Sequence, residues 1–175
     1  MGDVASQELL DLVPERPPLN GSPVPNYDTD RDQDPGLMIA RTAQSLETDD
    51  AGGVQTWRFP ATVTSLMPTV VATMYVQPTG PPLTPPGRIV VRAGVFDCDE
   101  ARTACTRLEV DTVSLAPTLG VFVPVVFDLS SDAATTIGAG RRFELRVALV
   151  ADGSTDDAWI AYDSTDAPAL LTMAP

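Results

Sequence analysis

The sequence predicts an all-β fold, an antiparallel β-sandwich of the jelly-roll kind, and three observations carry that prediction. From residue 57 onward, short apolar runs with period-2 alternation follow one another, each about 10 to 15 residues after the last, as sandwich strands do. The 17 prolines and 12 glycines among 175 residues punctuate the runs with turns and leave little room for long helices. No segment carries apolar residues at helical spacing over a convincing length.

A chain of this length, 43% hydrophobic and 20% charged, suits one domain with its own core. Residues 1–25 read as a Pro/Asp-rich N-terminal arm, either free or built into the sandwich, and residues 26–175 as the sandwich domain. In the arm, "SQELLDLV" fits two helical turns or a short strand, and Pro14 ends it in both cases. The strands then follow as "WRFPATVTSL", "VVATMYVQ", "RIVVRAGVFD", "CTRLEVDTVSL", "VFVPVVFDL", "RFELRVALV", "AWIAYD" and "ALLTM". The clearest is "RFELRVALV": Phe143, Leu145, Val147 and Leu149 point to a core, while Arg142, Glu144, Arg146 and Ala148 point to water. Gly138 and Gly140 supply a turn before it, and "ADGSTDD" a loop after it. The stretch "PTGPPLTPPG", residues 78–87, has five prolines in ten positions and reads as a stiff, exposed loop.

Charge limits the partners. The formal net charge is −13, every basic residue is arginine, and there is no lysine or histidine. A field of that sign repels phosphate backbones and anionic lipid, which argues against nucleic acid and peripheral membrane binding. No apolar run of about 18 residues exists for membrane insertion. The opening residues lack the pattern of a signal peptide, so an exported protein would here be in its mature form.

Missing histidine and lysine also remove Ser-His-Asp and Cys-His catalysis, Schiff bases and histidine-dependent metal hydrolysis. Carboxylate pairs remain, with Asp97, Asp99, Glu100, Glu144, Asp156, Asp157 and Asp163 as nominal candidates. None stands out among so many acids, and the expectation is a protein that is not an enzyme. Cys98 and Cys105, with six residues between them, flank a hairpin loop at a spacing that suits a structural disulfide and an oxidising compartment. Two cysteines without histidine do not make an ordinary zinc site.

Calcium is the candidate cofactor. "NYDTDRDQDPG" places Asp28, Asp30, Asp32 and Asp34 at alternate positions, and the first three match positions 1, 3 and 5 of an EF-hand loop. Gln33 then stands where the loop needs Gly, and Ile39 where it needs a bidentate Glu. A site would need help from the Asp152, Asp156 and Asp157 loop; a solvated acidic turn closed by "DPG" is the better reading. "YDSTDAP" at 162–168 echoes the segment. Trp57 and Trp159 fall within strand patterns and read as core before ligand platform, and Tyr27 and Tyr162 as ends of strands.

The order "NYDTDRDQDPGLMI", "QTWRF", "GVFDCDEARTAC", "AGRRFELRV" and "DDAWIAYDSTDAPALL" resembles an uncharacterised domain of secreted and cell-surface proteins of high-GC Gram-positive bacteria. The resemblance covers about residues 8–172, and departs from the family pattern at Ala169, where the family tends to place Ser. It implies that the N-terminal third belongs to the domain and that the protein is exported, to the cell surface or the extracellular space; it implies no reaction. The function expected is a non-enzymatic extracellular module with a structural or adhesive role, such as a subunit of a surface assembly. The alternatives are a carbohydrate-binding module, stabilised by calcium, and a virion decoration or filament subunit. Protein partners or self-assembly stand ahead of small molecules, with a glycan as the other candidate ligand.

Overall fold

The computed structural model describes residues 5–8, 13–14, 37–39, 46–47, 54–59, 63–78, 88–116, 118, 121–150, 153–154, 157–161 and 169–175. They form an antiparallel β-sandwich, with no helix among the described residues. In chain order the strands are β1 (Ala5–Glu8), β2 (Val13–Pro14), β3 (Leu37–Ile39), β4 (Val54–Arg58), β5 (Ser65–Leu66), β6 (Thr69–Pro78) and β7 (Ile89–Asp99). After these come β8 (Cys105–Leu115), β9 (Val123–Asp128), β10 (Thr135–Thr136), β11 (Arg141–Leu149), β12 (Ala158–Ala161) and β13 (Leu170–Ala174).

The first sheet is built around β6. On one edge β6 pairs with β9; on the other it pairs with β12 and then β13, placed end to end. Ala161 lies opposite Tyr75 and Leu170 opposite Thr73, so Leu170 holds the register that an unbroken strand would give to residue 163. The two registers thus differ by seven residues (170 − 163), and the echo "YDSTDAP" at 162–168 lies outside the described residues. Beyond β12 lies β3, and beyond β13 lies β1.

The second sheet runs β2-β4-β11-β7-β8. Its β7–β8 ladder passes from Val95↔Glu109 to Phe96↔Arg107, leaving Leu108 as a bulge. A two-stranded ladder, β5 with β10, closes one end. The arm takes part at backbone level, β1 pairing in the first sheet and β2 in the second; "SQELLDLV", residues 6–13, thus contributes residues 6–8 to β1 and Val13 to β2. Residues 79–87 of the proline-rich stretch lie outside the described residues.

Alternation sets the core. On β6, Val70, Ala72, Met74 and Val76 are buried, while Val71, Thr73, Tyr75 and Gln77 between them are half-buried on the outer face. From the second sheet, Trp57, Ile89, Val91, Ala93, Val95, Phe143, Leu145, Val147 and Leu149 meet them. Each large apolar side chain so buried contributes about 1.5–3 kcal/mol. Phe59 and Phe143 pack edge to face, with centroids 6.1 Å apart.

One expectation fails here. The outer row of β11 was expected to be wet, yet Glu144, Arg146 and Ala148 are buried. A second, smaller apolar cluster of Leu46, Val54, Phe96, Cys98 and Ala148 covers that face of the second sheet. The arginine stems and the Leu46 segment exclude water from it, and alternation along β11 alone carries no sign of either.

Candidate functional site

Among the described residues, the outer face of the first sheet is more exposed than that of the second. Tyr75 on β6 and Trp159 on β12 are both half-buried and stand on this face. Trp159 lies opposite Gln77, so Tyr75 is its diagonal cross-strand neighbour, at about 7–8 Å by sheet geometry. Thr73 and Val126 form the next row, Val71 and Asp128 the one after, and Val126 is 54% exposed. Two aromatic platforms, an amide and a hydroxyl on a rigid sheet make a shallow surface with apolar faces and hydrogen-bonding rims.

The two tryptophans therefore divide. Trp57 is wholly buried, as expected of a core residue, whereas Trp159 is on the outer face. Sequence reading did not single out Tyr75 or Gln77. The signal was present, because in "TVVATMYVQP" they share a parity with Val71 and Thr73 opposite to the core row.

On the outer face of the second sheet, charge is concentrated. The Glu144 carboxylate accepts from Arg58 at 3.3 Å and from Arg146 at 2.8 Å, and forms an ion pair with Arg102 at 3.0 Å. Arg146 uses its whole fork. Nε and Nη2 donate to Glu144, Nη1 donates to the carbonyls of Leu46 and Glu47, and Nη2 also reaches the sulfurs of Cys98 and Cys105 at 3.2 and 2.9 Å. Its guanidinium carbon sits 4.4 Å from the centroid of the Phe96 ring. The cysteines form the expected disulfide across facing positions of β7 and β8. Cys98, Cys105 and Glu144 bring ligand-type atoms within 4.8 Å of one another. The set does not fit a cation: both sulfurs are tied in the disulfide, and the carboxylate already faces guanidinium groups.

The hairpin between β7 and β8 is organised by Asp99. Its carboxylate accepts from the Thr103 hydroxyl at 2.6 Å and the Ala104 N–H at 2.9 Å, and these bonds hold it below the usual carboxylate range. Arg102 takes a φ of 60°, in the left-handed region, and from there its Nε reaches Glu144. At the sandwich edge the Asp111 carboxylate accepts the Asp128 N–H at 3.0 Å and so links β8 of one sheet to β9 of the other. Asp128 is itself lowered by donation from Ser130.

Asp97 pairs with Arg141 at 2.7 Å and Glu100 with Arg142 at 3.0 Å, so with Asp99 and Glu144 these acids serve arginine or backbone donors. Asp157 is half-buried just before β12. Asp28, Asp30, Asp32 and Asp34, the calcium candidates, lie outside the described residues, as do Tyr27, Tyr162, Asp152, Asp156 and Asp163.

No protein-family model matches the chain, and no curated protein matches it. Among solved structures, an aminopeptidase from the marine sediment archaeon Thaumarchaeota archaeon aligns at a TM-score of 0.53 with 11% identity, over 99% of this chain and 33% of that one. The chain thus spans about a third of the aminopeptidase's length. A xylan-binding module, CBM15, aligns at 0.48 with 12% identity, over 99% of this chain and 98% of that one. The α-L-arabinofuranosidase MgGH51 in its arabinose-bound form aligns at 0.43 with 9% identity, over 96% of this chain and 26% of that one. At these identities the first likeness bears on the fold alone, and the two lower scores carry no argument.

Proposed function

We propose that the chain is a non-catalytic, adhesive β-sandwich module of an exported protein, and that it holds uncharged saccharide chains on the outer face of its first sheet. The observation that carries this reading is the diagonal pair Tyr75 and Trp159, half-buried on the outer sheet face beside Gln77 and Thr73. Ring faces pack against the C–H faces of sugars, and the amide and hydroxyl meet sugar hydroxyls. A net charge of −13 disfavours acidic glycans and leaves neutral ones. Two of the nominal carboxylate candidates are engaged elsewhere, Glu144 with three arginines and Asp99 within its hairpin. The disulfide and the resemblance to a domain of secreted proteins both fit export.

The test is binding to a panel of neutral and acidic polysaccharides, with Trp159→Ala and Tyr75→Ala beside the parent. Loss of one aromatic anchor, about 2 kcal/mol or more, weakens binding about 30-fold or more while leaving the fold intact. Absence of binding to every neutral polysaccharide, or unchanged affinity in Trp159→Ala, defeats the proposal.

A second reading, a subunit of a surface assembly, is favoured by the exposed valines on the β8 and β9 side of the sandwich. Val121 is 51% and Val126 54% exposed, and Val110 on β8 is exposed as well. Light scattering that shows only monomer at high concentration removes this reading; association abolished by Val126→Glu supports it.

A further inference from the structure

The Cys98–Cys105 disulfide carries a feature that a purely structural crosslink has no use for. The Nη2 group of Arg146 lies within hydrogen-bond distance of both sulfurs, and Arg146 is buried. A sulfur in a disulfide is a weak acceptor, so this contact does little for the oxidised form. A thiolate in the same place is a charged acceptor, and a charge-assisted hydrogen bond is about twice as strong as a neutral one. The arrangement thus favours the state in which the disulfide has opened.

The two sulfurs differ in access. Cys98 is fully buried between Phe96, Leu46 and Ala148, whereas Cys105 is partly exposed at the start of β8. We infer that this disulfide is a thiol-exchange site, at which an external thiolate attacks Cys105 and Cys98 leaves as a thiolate held by Arg146. In the first step a sulfur–sulfur bond forms between the incoming thiol and Cys105, and the Cys98–Cys105 bond breaks. The negative charge passes from the incoming sulfur to Cys98. A second external thiolate then attacks the mixed disulfide at the external sulfur, releasing Cys105 as a thiolate and leaving the two external thiols joined. In total, two electrons pass from the external thiols to the protein. Stabilising the leaving thiolate speeds such exchange and raises the share of reduced protein at equilibrium.

Two effects oppose the thiolate. Burial in an apolar cluster raises the pKa of a thiol, and the Glu144 carboxylate lies within 4.8 Å of both sulfurs. Against them, Arg146 donates directly to the sulfurs, while Glu144 is shared among Arg58 on β4, Arg102 in the hairpin and Arg146 on β11. Arg142 stands opposite Cys98 and pairs with Glu100; Arg107, next along β8, pairs with Glu47. The direct contact wins, because among the described residues Glu144, the carboxylate beside the sulfurs, is already engaged by guanidinium groups.

The experiment uses the full chain in mixtures of reduced and oxidised glutathione, quenched with acid, alkylated and digested with trypsin. Cleavage at Arg102 separates the two cysteines, so the mixed disulfide can be assigned to one of them. We expect it on Cys105, and we expect the reduced protein's thiolate absorbance to titrate at least about one pH unit below the ordinary cysteine value near 8.5. Arg146→Met raises that midpoint and lowers the reduced fraction about 10-fold at a fixed glutathione ratio. Should Arg146→Met fail to fold, the parent's titration and the site of the mixed disulfide decide the matter alone. A midpoint at or above the ordinary value, a mixed disulfide on Cys98, or a disulfide that glutathione leaves closed overturns the inference.

Discussion

Replacing Glu144 by Gln removes a negative charge from the centre of the arginine cluster without changing its volume. In the parent, the Glu144 side chain is 0% and the Arg146 side chain 3% exposed, with 2.8 Å between Nη2 and the carboxylate. At an effective dielectric of 20, a pair this close attracts by about 6 kcal/mol, most of which the desolvation of both groups offsets. The net value of the pair is therefore small. Removing one partner is different, since Arg146 then keeps its burial and loses its counter-charge, at a cost of about 3–5 kcal/mol. Arg58 and Arg102 are 13% and 16% exposed and can turn towards water, so they add less. For a domain of this size the loss corresponds to a fall in Tm of about 6–20 °C. Urea and thermal unfolding of Glu144→Gln measure it directly. The double variant Glu144→Leu with Arg146→Leu, which leaves no buried charge between these two positions, is expected to lose less than the single one. A loss under about 1 kcal/mol for Glu144→Gln, or a double variant less stable than the single, refutes the reasoning.

Replacing Cys98 and Cys105 together by Ser opens a short crosslinked loop and should lower stability by about 2–3 kcal/mol, read from the urea midpoint at constant slope. Gly153→Ala brings a Cβ to 2.6 Å from Cγ2 of Val90, with costs of about 1–3 kcal/mol that the further change Val90→Ala relieves. The Asp99 carboxyl is held below its ordinary value of 3.8, so it binds its proton less readily in the folded chain than in the unfolded one. Its contribution to stability is present above about pH 4 and is lost as the pH falls through the lower folded value. Asp99→Asn should therefore be less stable than the parent at neutral pH and should show a shallower decline on acidification; an unchanged acid slope counts against this role.

The outer face of β6 shows how far the sequence reaches towards the candidate site. Parity alone puts Tyr75 and Gln77 on the side opposite Val76, but nothing in the chain says that Trp159 stands beside them. That neighbourhood depends on β12 pairing with β6 in one register, with Ala158 opposite Pro78, across a separation of 80 residues (158 − 78). Trp57 and Trp159 have similar local patterns, and only the partner each meets separates a core ring from a platform. The disulfide was legible because its two cysteines flank a single hairpin, and local geometry decides that contact.

By itself, the sequence determined the fold class, the places of the longer strands, the inward row of β11 and the crosslink. These follow from short-range rules of alternation, turn residues and spacing. It also excluded whole classes of chemistry through the absence of histidine and lysine. Only the tertiary structure decided that the outward row of β11 is buried, that Glu144 gathers three arginines, and that Arg146 turns to the sulfurs. Those residues come from β4, β11 and the hairpin before β8, with Leu46 laid over them. Burial of a charge depends on everything that surrounds it, and a periodicity along one strand reports only which way a side chain points.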